Sequence, residues 1–172
     1  MKLFSISLLV LILCSCNSTT IYMVRHAEKA DGNNPDPGLT TAGLARADAL
    51  KDTLKYASID AIIVSDFQRT QLTAQPLADH LNLQLIVIPL REAGVAQYIE
   101  GVVNEIKTKW SGKNVLLVTH NPLYQLISQR LNTPPLPAIS DETGYDNFFV
   151  ISKPSDASAV ASLSHSRYGA KP

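Results

Sequence analysis

The chain has 172 residues, 45% of them hydrophobic and 17% charged, and a formal net charge of zero at pH 7. This length fits one domain with a sizeable core, and the composition excludes a disordered chain. Charge balance excludes a bulk electrostatic footprint for nucleic acid but permits a local basic pocket.

The N-terminus reads as a targeting segment separate from the fold. Lys2 precedes an apolar run from Leu3 to Cys14, interrupted only by Ser5 and Ser7. A comfortable bilayer span takes about 20 apolar residues, so this run suits a signal-peptide core. It ends in Leu13-Cys14-Ser15-Cys16, then polar Asn17-Ser18-Thr19-Thr20. That pattern resembles the bacterial lipoprotein cleavage box. The resemblance implies a signal peptide over residues 1–15, a lipid on Cys16, a short tether over 16–19 and one folded domain over 20–172. It also implies a lipid-anchored, extracytoplasmic place in the bacterial cell envelope. An ordinary cleaved signal and a short uncleaved anchor are the alternatives. Both cysteines lie in this segment, so the chain after Thr20 has no disulfide, thiol nucleophile or cysteine metal site.

Apolar β-type runs then alternate with amphipathic helical patterns. Thr20 to Val24 reads as a strand. Ala42 to Leu54 places Leu44, Ala47, Leu50 and Leu54 on one helical face. Ala61 to Val64 is a second strand. Gln71 to Leu81 reads as a helix with Leu72, Leu77 and Leu81 inward, kinked or shifted in its start by Pro76. Leu83 to Leu90 is a third strand, and Val95 to Trp110 the clearest helix, through Val95, Tyr98, Val102, Ile106 and Trp110. Asn114 to Val118 is a fourth strand. Pro122 to Leu131 is a helix with Asn121 as N-cap and Pro122 at the first helical position. Asn147 to Ser152 and Ala159 to Ser164 complete the set as two late strands. Asp31 to Gly38 and Thr133 to Thr143 are loops. This alternation predicts an α/β three-layer sandwich, a mostly parallel central sheet flanked by helices.

Strand tips of such sheets are where ligands bind, and three tips carry chemistry. The first ends in Arg25-His26, followed by Ala27-Glu28. The second ends in Ser65-Asp66, with Arg69 within one turn. The fourth ends in Thr119-His120, and the third leads to Arg91-Glu92. Guanidinium forks match phosphoryl oxygens bidentately. A neutral imidazole is a competent nucleophile for phosphorus, and covalent transfer splits one hard step into two easier ones. Arg25 and Arg69 are expected to lower the pKa of His26 and keep it neutral. His120 can donate to the same oxygens, and the helix start at Asn121-Pro122 offers backbone amides. Fixed cations then supply the electrostatic stabilisation without a metal or other cofactor. A metal site on His26 and His120 lacks a third ligand and would sit against two arginines. Glu92 is the best-placed proton donor by sequence, with Asp66 and Glu28 as runners-up. His80 and His165 read as structural.

These motifs resemble those of the histidine phosphatase superfamily, which includes cofactor-dependent phosphoglycerate mutases. Its Arg-His-Gly/Ala signature is matched by Val24-Arg25-His26-Ala27-Glu28. Its Leu-Thr-x-x-Gly-x-x-Gln-Ala is matched by Leu39-Thr40-Thr41-Ala42-Gly43-Leu44-Ala45-Arg46-Ala47, with Arg46 replacing Gln. Ser-Pro-Leu-x-Arg-Ala-x-Gln-Thr-Ala corresponds to Ser65 to Ala74, with Asp66 in place of Pro. Leu90-Arg91-Glu92-Ala93-Gly94 resembles the acid-bearing region with one residue fewer. Val118-Thr119-His120-Asn121 matches the second histidine stretch, with Asn121 in place of the frequent Gly.

The resemblance implies a phosphoglycerate mutase-like fold. It makes His26 the phosphorylated nucleophile, Arg25, Arg69 and His120 the phosphoryl holders with Asn121 beside them, and Glu92 the proton donor. Glu28, Ser65 and Asp66 are supporting residues. Short segments between the motifs resemble the compact members of the group. The expected function is a metal-independent phosphatase acting on a small phosphomonoester through a phosphohistidine intermediate. The alternatives are a protein phosphohistidine phosphatase and a non-catalytic phosphate-binding lipoprotein.

Overall fold

The computed structural model describes residues 18–141, 143–156 and 158–171. The proposed signal peptide and Cys16 lie outside the described residues. The elements run β1 (Ser18–Arg25), α1 (Thr41–Leu54), β2 (Ala61–Ser65), α2 (Gln68–Leu81), β3 (Leu85–Ile88), α3 (Gly94–Lys109), β4 (Asn114–Thr119), α4 (Leu123–Arg130), β5 (Asn147–Pro154) and β6 (Ser162–Arg167). They form one six-stranded sheet in the order β3-β2-β4-β1-β5-β6. The first four of these are mutually parallel, whereas β5 runs antiparallel to both β1 and β6. The fold is thus the expected α/β sandwich.

Period-two alternation divides each central strand between two cores. Ile21, Met23, Ile63, Val115 and Leu117 pack with Tyr98, Val102 and Ile106 of α3 and with Tyr124 and Ile127 of α4. Val24, Ile62, Val64, Leu116 and Val118 pack with Leu50 and Leu54 of α1 and with Ala74 and Leu77 of α2. Strands buried on both faces need continuous apolar runs, which makes these segments legible in the sequence.

Several boundaries differ for reasons that lie outside the local pattern. Ser18 and Thr19, expected in a tether, pair with Pro154 and Lys153 in the sheet. The buried stripe of α1 runs through Gly43, Arg46, Ala47, Leu50 and Leu54, leaving Leu44 exposed. Arg46 takes the inward place because Glu28 neutralises it. The α2 helix starts at Gln68, before the expected Gln71, and keeps Pro76 inside it. Its Gln68 N–H is taken by Asp36 Oδ1 at 2.9 Å, a cap supplied from a distant loop. Leu72 on α2 and Val95 on α3 are exposed rather than inward. Asn121 does not cap α4: its amide donates to the Ile139 carbonyl and to Asp141, and Pro122 holds the cap position. The strand expected at Ala159–Ser164 lies at Ser162–Arg167, set by antiparallel pairing with β5. Among the described residues, no helix is long and apolar enough to cross a membrane.

Candidate functional site

Register brings His26 and His120 together. Arg25, the last residue of β1, is the pairing partner of Thr119, the last residue of β4. The His26 N–H continues the ladder to the Thr119 carbonyl at 2.9 Å. His26 and His120 therefore leave adjacent strand ends with ring centroids 5.3 Å apart. Thr73 of α2 accepts the Ala27 N–H at 2.8 Å, satisfying the buried backbone where the chain leaves the sheet.

The His26 Nδ1 atom is 2.8 Å from its neighbour's carbonyl, Ala27 O. A carbonyl only accepts, so Nδ1 carries the proton and Nε2 keeps its lone pair. Burial lowers the His26 pKa to about 3, with His120, Arg25 and Arg69 adding to it against the Ala27 bond. The motif alone points to the arginines for this shift, but the larger cause is desolvation. His120 is also held at about 3, by burial first and then by Arg69 and Arg25. Its Nε2 lies 2.8 Å from Ser65 Oγ at the end of β2.

Arg25 and Arg69 flank the pair. Tyr145 lies 4.3 Å from the Arg25 guanidinium carbon and Phe67 lies 4.0 Å from that of Arg69. These ring faces hold the guanidinium planes. Arg25 Nη1 donates to the carbonyls of Ser140 and Asp141 at 3.2 and 2.8 Å. The Nε atoms of Arg25 and Arg69 are buried with no hydrogen-bond partner among the described residues. Burial, together with Arg25 and Arg91, outweighs Asp36 and lowers the Arg69 pKa below its ordinary value. Two buried cationic donors facing no acceptor form a site suited to an anion.

The resulting cleft, about 500 Å³, is lined by Arg25, His26, Arg69, His120 and Asn121, with Lys29 and Arg91 at its edge. Phe67, Leu90, Val95 and Leu123 form its apolar wall. The other expected residues are placed elsewhere. Glu92 is exposed in the turn before α3 and does not line the cleft. Asp66 accepts the Leu90 N–H at 2.9 Å and binds Arg91. Although burial raises its pKa, those backbone and guanidinium bonds pull it lower on balance, so it is kept as a carboxylate. Glu28 grips Arg46 Nε and Nη2 at 2.7–3.0 Å. Burial disfavours the Arg46 charge, but Glu28 outweighs it and raises the pKa. Glu28 and Arg46 line a neighbouring cavity of about 450 Å³. Among the described residues, no group of three or more His, Cys, Asp or Glu could hold a metal ion.

Sequence reasoning missed Phe67, Tyr145, Asp36 and Asp141. Phe67 stands in a matched motif and gives a usable signal. Asp36 and Asp141 lie in loops and Tyr145 in a short 3-10 helix over Gly144–Asp146, and no local pattern reports their packing.

The family model for the histidine phosphatase superfamily (branch 1) matches residues 21–98. The matched span carries Arg25, His26 and Arg69, while His120 lies beyond it and joins the same cleft through the sheet. No curated protein matches the chain. Solved structures share its fold. A mycobacterial glucosyl-3-phosphoglycerate phosphatase in complex with inorganic phosphate is 16% identical, with a TM-score of 0.63 over 84% of this chain and 95% of that one. The protein histidine phosphatase SixA complexed with tungstate is 21% identical, with a TM-score of 0.61 over 86% and 96%. A structure described as mycobacterial hydrolase 2 is 14% identical, with a TM-score of 0.62 over 90% and 91%.

Proposed function

We propose that the protein is a phosphatase that hydrolyses small phosphomonoesters through a phosphohistidine on His26. The observation that carries this reading is the pairing of a neutral His26, protonated on Nδ1 and not on Nε2, with two buried guanidinium N–H groups that have no partner among the described residues. Nε2 attacks phosphorus as the ester P–O bond breaks and its electron pair goes to the leaving oxygen, which departs as the alcohol once protonated, while Arg25, Arg69 and His120 hold the equatorial oxygens. The charge that spreads over those oxygens meets donors already in place, so little reorganisation is needed. Water then attacks the phosphohistidine, the P–N electron pair returns to Nε2, and inorganic phosphate leaves.

The test is phosphate release from an aryl phosphate by full-length protein in detergent. His26→Ala should abolish it, and acid-labile phosphate should be trapped on the wild type. Equal activity of the two proteins would refute the reading.

A second reading, a protein phosphohistidine phosphatase, is favoured by one observation: no carboxylic side chain lines the cleft among the described residues. A phosphoramidate P–N bond needs less acid assistance than an ester, and a neighbour of this fold is described as a protein histidine phosphatase. Turnover of a phosphohistidine peptide with none of any ester would select it. We further propose that Cys16 carries a lipid and holds the domain outside the cytoplasm, supported by the apolar run and the Leu13 to Cys16 pattern. Fatty-acid labelling that survives in Cys16→Ser would refute the anchor.

A further inference from the structure

The first parallel strand ends in a cation whose outer edge is covered by a loop carboxylate. Asp141 Oδ1 accepts from Asn121 Nδ2 at 2.6 Å and lies 3.8 Å from Arg25 Nη2. The Asp141 backbone carbonyl also accepts from Arg25 Nη1 at 2.8 Å. Asn121 and Arg25 both line the cleft, so this carboxyl group stands at the rim of the site that the phosphoryl oxygens would fill.

Among the described residues, the other nearby carboxylates are either held by partners or stand off the cleft. Asp36 holds the Gln68 N–H and Arg91. Asp66 holds the Leu90 and Arg91 backbones, and Glu28 holds Arg46. Glu92 is exposed and does not line the cleft. Asp141 differs from the first three in being 78% exposed, and from Glu92 in resting on two cleft residues, the neutral Asn121 amide and the Arg25 guanidinium. It stands at the cleft mouth, open to solvent.

We propose that Asp141, not Glu92, is the acid–base residue of this site. The inference rests on the phosphatase reading above. His26 Nε2 forms a bond to phosphorus as the ester P–O bond breaks. The P–O electron pair goes to the leaving oxygen, which takes the proton from the Asp141 carboxyl group, releasing an alcohol. In the second half, the Asp141 carboxylate takes a proton from water as its oxygen bonds to phosphorus. The P–N electron pair returns to Nε2, and both Asp141 and His26 end as they began. Asn121 is then a positioning residue that aims the carboxyl group, rather than a phosphate ligand.

The test compares Asp141→Asn and Glu92→Gln in the full-length protein on two esters, an alkyl phosphate and p-nitrophenyl phosphate. A general acid contributes about 10²–10⁴-fold where the leaving group is poor. kcat/KM reports only the first half-reaction. Asp141→Asn should lower kcat/KM on the alkyl ester at least about tenfold more than on the nitrophenyl ester. Asp141→Glu should restore part of that difference. Glu92→Gln should change neither ester more than twofold. Equal losses on both esters in Asp141→Asn would show that the residue only positions Arg25, overturning the proposal. A selective loss in Glu92→Gln would overturn it as well. Absence of turnover by the wild type on both esters would instead remove the phosphatase reading on which it rests.

Discussion

Ser65 Oγ lies 2.8 Å from His120 Nε2, tying the end of β2 to the end of β4 inside the cleft. The Ser65 hydroxyl also lies 2.9 Å from Thr70 Oγ1 and accepts the Phe67 N–H at 3.3 Å. The serine therefore fixes the orientation of the His120 ring from beneath.

Ser65→Ala removes that support and leaves a buried ring nitrogen unpaired, at a cost of about 1–3 kcal/mol. A misaligned His120 should then lower kcat/KM on an aryl phosphate by about tenfold, equivalent to about 1.4 kcal/mol. Urea unfolding and steady-state kinetics measure the two effects separately. Full activity in a destabilised variant would remove Ser65 from the site's support.

Stability should fall on mild acidification. His26 and His120 are held near pKa 3 when folded, whereas an exposed histidine titrates near 6.5. Between these values the unfolded chain binds more protons than the native one. Stability present above about pH 6.5 is thus lost as pH falls toward 3, with a limiting slope of about 1.4 kcal/mol per pH unit for each group. Thermal unfolding of the wild type between pH 7.5 and 5 should show this decline. The His26→Gln/His120→Gln double variant should show a flatter one, and parallel curves would contradict the burial argument.

Arg46 and Glu28 form a second buried constellation whose role is structural. Their side chains are 4% and 17% exposed, and Arg46 also donates to the Tyr168 carbonyl. Breaking such a pair costs about 3–5 kcal/mol when both partners are buried. Because Glu28 reaches solvent, Arg46→Ala should cost about 2–4 kcal/mol after screening. Arg46→Gln keeps a donor and should cost less. Denaturant midpoints would rank them, and equal midpoints would deny the pair its role.

Gly43 approaches the chain that leaves the nucleophile's strand. A Cβ there would stand 2.3 Å from the Glu28 carbonyl oxygen and 3.1 Å from Leu39 Cβ. Backbone cannot yield as a flexible side chain does, so Gly43→Ala should cost about 3 kcal/mol, the upper range for overpacking. Thermal unfolding measures it, and an unchanged midpoint would mean α1 can shift freely. The threonine of the same motif, Thr40, caps α1 by accepting the Gly43 N–H at 3.0 Å. The Leu39 to Ala47 motif is therefore a packing device.

The sheet is largely readable because Ile21 to Val24, Ala61 to Val64 and Val115 to Val118 must be apolar on both faces. Helix starts are less so. The start of α2 depends on Asp36, a residue 32 positions before Gln68. The capping role expected of Asn121 is lost because Asp141 and the Ile139 carbonyl compete for its amide. Leu44 fits a helical stripe that Arg46 displaces, since an ion pair with Glu28 makes burial of the arginine favourable.

The candidate site divides in the same way. Arg25, His26, Arg69 and His120 can be named from sequence because each sits at, or within a turn of, the end of an apolar strand. Residue order along the chain thereby implies convergence at one sheet edge. Residue order does not identify which carboxyl group stands at that edge. Glu92 lies near by position, yet its turn leaves it exposed. Asp141 is brought in from 116 residues after Arg25 by bonds from the Arg25 guanidinium and the Asn121 amide. Local hydropathy and short motifs encode which segments enter the sheet. Only the packed fold decides which distant loop closes over a charge, because that choice depends on burial and electrostatic pairing between residues with no proximity in sequence.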